Sequence, residues 1–234
     1  LAFGVQILAD FSGYTDIARG SARLLGIELS LNFRHPWLAS SPADFWQRWH
    51  ITLSNWLRDY VYIPLGGNKN HHSSHPRRRT AINIVVTLAL GGLWHGAAWN
   101  FVLWGLLHAA LILTWRTVAA SNFKSPGYVS TILTFILISA SWLLFRESDM
   151  AFIGHNIFES RDELQVAAAL AATTLIYSTP LWLHAIIDQP KMKKYWMQND
   201  LKRTAAFTAL TLTSFIGILL LRANTSAEFI YFRF

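Results

Sequence analysis

Residues 88–108 read LALGGLWHGAAWNFVLWGLLH. Across 81–115 the only ionisable side chains are His95 and His108, set among apolar residues, Gly, Asn and Thr. Such a run is too apolar for a water-facing surface and long enough to enter a bilayer twice. An imidazole is costly inside hydrocarbon, so an ionisable residue there marks a functional hypothesis. His95, with Gly91, Gly92 and Gly96 around it, is the residue to explain, because glycines let backbone or ligand approach closely.

Outward from this stretch, the chain keeps the same character. It has 234 residues, 53% of them hydrophobic and only 14% charged, and a mean hydropathy of +0.28. Ordinary soluble domains carry roughly a quarter charged residues. The pattern is that of an all-α, polytopic helical membrane protein, since the ten-residue alternating segments of a β-barrel are absent. Eleven Trp, seven Tyr and fifteen Phe suit interfacial aromatic belts. The absence of cysteine excludes disulfides and thiolate catalysis. Membrane segments are expected at about 1–9, 81–99, 99–118, 128–145, 164–187 and 204–221, with Pro180 kinking the fifth of these. The very short turn between 81–99 and 99–118 also allows a hairpin buried in protein in place of two full spans.

The net charge of +7 is not read as nucleic-acid binding, because the basic residues sit in loops. Lys69, Arg77, Arg78, Arg79, Arg116, Lys124, Lys191, Lys193, Lys194, Lys202 and Arg203 fall at alternate ends of the apolar runs. The opposite ends hold Arg146, Arg161, Arg222 and Arg233 and an acidic stretch with Glu147, Asp149, Glu159, Asp162 and Glu163. This bias places the first set in the cytoplasm and the C-terminus outside. His71, His72 and His75 share the basic loop NKNHHSSHPRRR without a carboxylate or thiolate, so they read as a solvated loop and no metal site is expected.

The chain opens inside an apolar run at Leu1, and is read as the C-terminal part of a longer protein or a gene fragment. In DFSGYTDIARG, Asp10, Ser12, Tyr14 and Asp16 crowd together after that run. A helix cap at Asp10 or Ser12 is favoured over the lining of a cavity. Further on, Ser41 or Asp44 starts an amphipathic helix over about 43–63. At 100° per residue, Trp46, Trp49, Leu53, Trp56, Leu57, Tyr60 and Val61 share one face, and Arg48, Thr52, Asn55 and Asp59 the other. His50 falls at the edge of the apolar arc; a lone His on such a face is more often a packed core histidine than a catalyst, and its flanking aromatics fit either reading.

No HExxH, P-loop, GxGxxG or GxSxG pattern occurs, which removes the common motif-bearing hydrolases and nucleotide enzymes. A neutral His95 would serve as general base for a hydroxyl attacking an activated acyl group. A transporter coupling protons through His95 and His50 predicts similar features.

The segments DFSGYTDIARG (10–20), FWQRWHITLSNWLRDYVYIPLGGN (45–68), LGGLWHGAAWNFVLWGLLHA (90–109) and FIYFRF (229–234) resemble the membrane-bound O-acyltransferase family, most closely its bacterial alginate O-acetylation branch. The resemblance implies tilted helices around a transmembrane tunnel, with His95 of GGLWHG matching the family's essential histidine. His50 of RWHITLS matches the second histidine of the bacterial branch, where many eukaryotic relatives carry Asn or Asp. Lining candidates for such a tunnel are Asp10, Tyr14, Asp16, Trp46, Trp49, Asn55, Arg58, Asp59, Trp94 and Asn100. The resemblance further implies no bound cofactor and a cytoplasmic acyl donor, acetyl-CoA, as substrate. The acetyl group would pass across the bacterial inner membrane to export-side partner proteins with a serine-hydrolase-like (SGNH) fold, which acetylate an exopolysaccharide. Alternatives within the family are peptidoglycan O-acetylation and D-alanine transfer to teichoic acid. An inactive gene fragment is the alternative outside it.

Overall fold

The structure is a computed structural model that describes residues 2–68, 75–121, 127–149, 151–153, 155, 164–188, 201–202, 204–206, 208–209 and 211–213. Among the described residues every regular element is helical. The chain divides into two compact units, Phe3–Asp162 and Glu163–Arg233.

The first unit opens with α1, Ala2–Leu24. The expected cap at Asp10 or Ser12 does not form, and the helix continues through this polar stretch. Two local contacts form along it: Thr15 Oγ1 donates to the Ser12 carbonyl at 3.0 Å, and Asp16 pairs with Arg19 at 3.1 Å. The helix ends instead at Gly26, where φ is 76°. Gly26 N–H donates to Arg23 O and Ile27 N–H to Ala22 O, the paired bonds of a Schellman motif, which a left-handed glycine permits.

After a 3-10 turn at Pro36–Leu38, Ser41 caps α2, Pro42–Trp46. Its Oγ accepts the Asp44 N–H at 3.0 Å, and Pro42 holds the first helical position, where no N–H is needed. The single helix expected over 43–63 is not observed. It is split into α2, α3 (Ile51–Leu57) and a π-helical turn, Arg58–Tyr62. The break lies at 47–50 and ends on His50 with φ 40° and ψ 56°, the left-handed region that few non-glycine residues enter. The 100° face therefore does not run through: Trp49, Leu53 and Leu57 are buried, whereas Trp56 and Tyr60 are exposed.

Helices α4 (Pro76–His95) and α5 (Trp99–Ala120) form a hairpin joined only by residues 96–98. The two backbones touch at glycines. A Cβ at Gly92 would run into the Phe101 carbonyl, and one at Gly105 into the Leu88 carbonyl. A Cβ at Gly91 would come within 3.0 Å of the Leu57 Cδ1, so the same stripe also seats α3 on α4. Helix α6, Gly127–Arg146, packs on α5 and is tied to it by Asn100 Nδ2 donating to the Leu144 carbonyl at 3.2 Å.

Helices α5 and α6 are long and apolar enough to cross a membrane. Leu103, Leu106, Ile132, Leu133, Ile136 and Leu143 are exposed along them, which costs nothing against lipid chains. Helix α4 does not reach that apolarity. Its first turn holds Arg77, Arg78 and Arg79, and its buried face carries Asn83 and Thr87. Those polar groups point into protein: Asn83 Nδ2 donates to the Gly67 carbonyl at 3.1 Å, and Thr87 Oγ1 to the Asn83 carbonyl at 2.7 Å.

In the second unit, α7 spans Leu164–Ile187. It bends by 43° between Ile176 and Ser178, one turn before Pro180, whose missing N–H and ring release the carbonyl four residues earlier. With α7 counted as one bent span, three helices among the described residues can cross. A shorter apolar helix covers Thr204–Thr213. The remainder of the segment expected at 204–221 lies outside the described residues, as do His71, His72 and the terminal FIYFRF.

The glycine contacts make a direct prediction. Gly105→Ala sets a methyl against backbone that has no rotamer to move, so it should cost about 2 kcal/mol or more. Gly13→Ala on α1 meets nothing within 4 Å and should be neutral or slightly stabilising, because alanine is the better helix former. Unfolding temperatures of the two purified variants check this, and equal values would refute the close helix contact.

Candidate active site

His95 is the last residue of α4, so its side chain stands where the hairpin turns. Aromatic rings enclose it. Trp104 and Phe145 meet it edge-on at 5.5 and 5.0 Å, and Phe101 lies at 6.4 Å. Gly96 makes room for Phe101, since a Cβ there would come within 2.6 Å of its ring. On the remaining side lies Trp94, its ring centroid 4.9 Å from His95 and 5.8 Å from His50. One indole thus bridges the two histidines that the sequence singled out.

His50 is held by a clamp that lies far away in sequence. Ile51 N–H donates to the Asn32 carbonyl at 3.0 Å. The Asn32 side-chain Oδ1 accepts the Thr52 N–H at 3.2 Å and the Thr52 hydroxyl at 2.7 Å. Asn32 therefore performs the capping that His50 itself does not. Arg34 N–H, bonded to the Arg48 carbonyl at 2.9 Å, braces the other side of the turn. These bonds over-determine a backbone conformation that costs of order 1–3 kcal/mol. Phe11 of α1 closes the back of the His50 ring at 4.8 Å, and His50 Nδ1 is buried without a hydrogen-bond partner.

An open pocket of about 300 Å³ lies in front, lined by His50, Thr52, Leu53, Trp56 and Trp94. Burial lowers the His50 pKa from 6.5 to about 4, because desolvation disfavours the imidazolium. Unfolding exposes the ring, so between these values the unfolded chain binds more protons than the folded one. Stability should therefore decline by roughly 3 kcal/mol as pH falls from 6.5 toward 4, and be unaffected by this group above 6.5. Thermal unfolding of wild type and His50→Asn across pH 4–7 checks this. The variant should show the shallower slope.

The other sequence candidates divide between the site and its surroundings. Trp49 is buried behind the turn, stacked on Phe45 at 5.5 Å and touching Trp142 at 5.0 Å. Trp46 and Arg58 line a second, apolar pocket of about 250 Å³ against α4 and α5. Asn55, Arg58 and Asp59 bond one another: Arg58 Nε and Nη2 donate to the Asp59 carboxylate at 2.7 and 3.1 Å, and Nη1 to Asn55 Oδ1 at 3.0 Å. That pairing raises the Arg58 pKa and lowers that of Asp59. Asn100 is committed to the α5–α6 tie. Of the α1 candidates, Asp10 is half-buried while Tyr14 and Asp16 are exposed. The α1 residue that reaches His50 is Phe11.

Sequence reasoning missed Phe11, Asn32, Trp104 and Phe145. Asn32 gave no local signal, because the helix it caps begins far along the chain at Ile51. The aromatics gave none, because phenylalanines and tryptophans are common throughout this chain.

Asn32→Ala removes two acceptor contacts and the α3 cap. It should cost about 1–2 kcal/mol and let His50 leave its left-handed conformation. Asn32→Asp keeps the acceptor and should retain most of that stability. The two variants' unfolding temperatures measure the difference.

Residues 1–148 match MBOAT, the membrane-bound O-acyltransferase family, a stretch that contains both histidines and their aromatic walls. The chain is 32% identical to a peptidoglycan O-acetyltransferase of Helicobacter pylori, over 100% of this chain and 48% of that protein. It is 33% identical to a probable alginate O-acetylase, AlgI, of Pseudomonas putida, over 100% of this chain and 52% of that protein. It is also 33% identical to a teichoic acid D-alanyltransferase of Bacillus subtilis, over 58% of this chain and 35% of that protein. The chain spans about half the length of the full-coverage relatives. With the hairpin glycines, the paired histidines and the matched region all coinciding in α1–α6, this chain belongs to the membrane-bound O-acyltransferase family.

Proposed function

We propose that the full-length protein is an O-acetyltransferase of the bacterial inner membrane. It takes an acetyl group from cytoplasmic acetyl-CoA and passes it across the membrane to an export-side, SGNH-like partner, which O-acetylates an exopolysaccharide such as alginate. The observation that carries this reading is the convergence of His95 and His50 on Trp94 beside an open pocket.

In the reaction, a His95 ring nitrogen takes the proton of the acceptor hydroxyl as its oxygen attacks the thioester carbonyl. The tetrahedral oxyanion collapses, the C–S bond breaks, and the thiolate leaves with that proton. The aromatic wall excludes bulk water and so limits hydrolysis of the donor. His50, unpaired at Nδ1, orients donor or acceptor from the facing side. The basic ends at Arg77–Arg79 and Arg116 belong on the cytoplasmic side, where an anionic donor arrives, and the C-terminus lies in the periplasm.

Relatives named for alginate and for peptidoglycan match over equal shares of the chain, so the acceptor needs its own test. The gene would be deleted in its native host and restored as the full-length form. O-acetyl groups on exopolysaccharide and on peptidoglycan would then be quantified by NMR after mild alkaline release. Loss and restoration confined to the exopolysaccharide support the reading. Loss confined to peptidoglycan moves the acceptor to the cell wall, and unchanged acetylation of both overturns it.

A further inference from the structure

His108 lies in the same aromatic cluster but has a different situation from the other two histidines. It is 0% exposed, and both of its ring nitrogens are bonded. Trp46 Nε1–H, which can only donate, points at His108 Nδ1 at 3.2 Å. His108 Nε2 lies 2.9 Å from Ser141 Oγ, and the Ser141 hydroxyl donates its one hydrogen to the Ile138 carbonyl at 2.7 Å. Ser141 must therefore accept from His108. Only one tautomer fits, with hydrogen on Nε2 and the lone pair of Nδ1 capped by the indole.

That arrangement joins three elements. Trp46 ends α2, His108 sits in α5, and Ser141 in α6. The turn that begins after Trp46 is the one that places His50. Trp104, whose ring meets His108 at 4.6 Å, is also the edge-on wall of His95 at 5.5 Å. A leucine at 108 would fill the space without burying a polar group, whereas a buried imidazole is tolerable only with both nitrogens satisfied. The side chain thus gains orientation that an apolar residue lacks.

We infer that His108 is a positioning residue. It is a neutral strut that fixes α2 against α5 and α6 and so holds the His50 turn and the Trp104 wall around the transfer site. It does not exchange protons, because its one lone pair is taken by Trp46. This inference rests on the reading of His95 and His50 as the transfer site.

The test uses the full-length protein in membranes, with acetyl-transfer rate followed across pH 5–9 in wild type, Trp46→Phe, Ser141→Ala, the double variant, His108→Asn and His108→Leu. Trp46→Phe and Ser141→Ala should each slow transfer about tenfold. The double variant should be no slower than the worse single, because both release the same ring. His108→Asn keeps an acceptor for the indole and should retain more activity than His108→Leu, with the wild-type pH profile. Fully additive losses, wild-type rates in His108→Leu, or a pH limb lost in His108→Asn would each overturn the strut. If the His108 variants fail to accumulate, the Trp46/Ser141 cycle alone decides. If wild type transfers no acetyl group, the function reading fails on its own, and the same cycle read in unfolding temperatures still judges the strut.

Discussion

His95→Ala in the full-length protein should lower acetyl transfer by at least about 100-fold, the smaller end of what a positioned general base contributes, with membrane abundance unchanged. The two halves of that expectation have separate physical grounds. The ring sits at the end of α4 among aromatic side chains, edge-on to Trp94, Trp104 and Phe145 and tilted to Phe101. Its loss leaves space at the mouth of the hairpin, while the glycine-mediated contact between α4 and α5 lies deeper, at Gly92 and Gly105. His95→Gln separates the chemistry further. It restores bulk and a hydrogen-bond donor without a basic nitrogen, so its transfer rate should stay near that of the alanine variant. Immunoblots of membrane fractions alongside polymer acetylation measure both quantities.

The second large effect is at His50, where backbone and ring can be separated. The left-handed conformation is one that His, Asn and Asp enter more readily than other non-glycine residues. His50→Asn should therefore keep the turn, its Asn32 clamp and its unfolding temperature above pH 6.5, yet lose about 100-fold in transfer, the scale of a lost orienting contact. His50→Ala should lose the same activity and in addition about 1 kcal/mol of stability, from backbone strain that alanine tolerates less well. Unfolding temperature set beside transfer rate separates the two variants. If His50→Asn keeps full activity, the imidazole is a packing group and the site is His95 alone.

The parts of the architecture that could be read from sequence were those encoded locally. The hairpin around His95 follows from one apolar run, its glycines and a very short turn, and α4 and α5 appear there with the glycines at their contact. The Pro180 bend follows from a missing N–H. What could not be read depended on partners distant in the chain. The Trp-rich stretch has an unbroken helical period, and the Asn32 clamp, reaching Thr52 from 20 residues away, holds the break at His50 together with the Arg34–Arg48 bond. His108 looked like one more imidazole in an apolar run, because Trp46 and Ser141 lie 62 and 33 residues away. The polar cluster at 10–16 misled in the opposite direction. Its residues suit a cap, but Thr15 and Asp16 bond along the helix, which runs through Gly13 and Gly20 until Gly26 turns left-handed.

Oriented membrane vesicles test directly whether His95 serves acetyl transfer across a membrane. Inverted membrane vesicles carrying the full-length protein and its export-side partner would be given acetyl-CoA labelled in the acetyl group on the outside, the former cytoplasmic face. Label should appear on the lumenal partner or polymer in wild-type vesicles, in proportion to free CoA released outside, and should be absent with His95→Ala. Label reaching the lumenal acceptor at the wild-type rate in the His95→Ala vesicles would contradict the account.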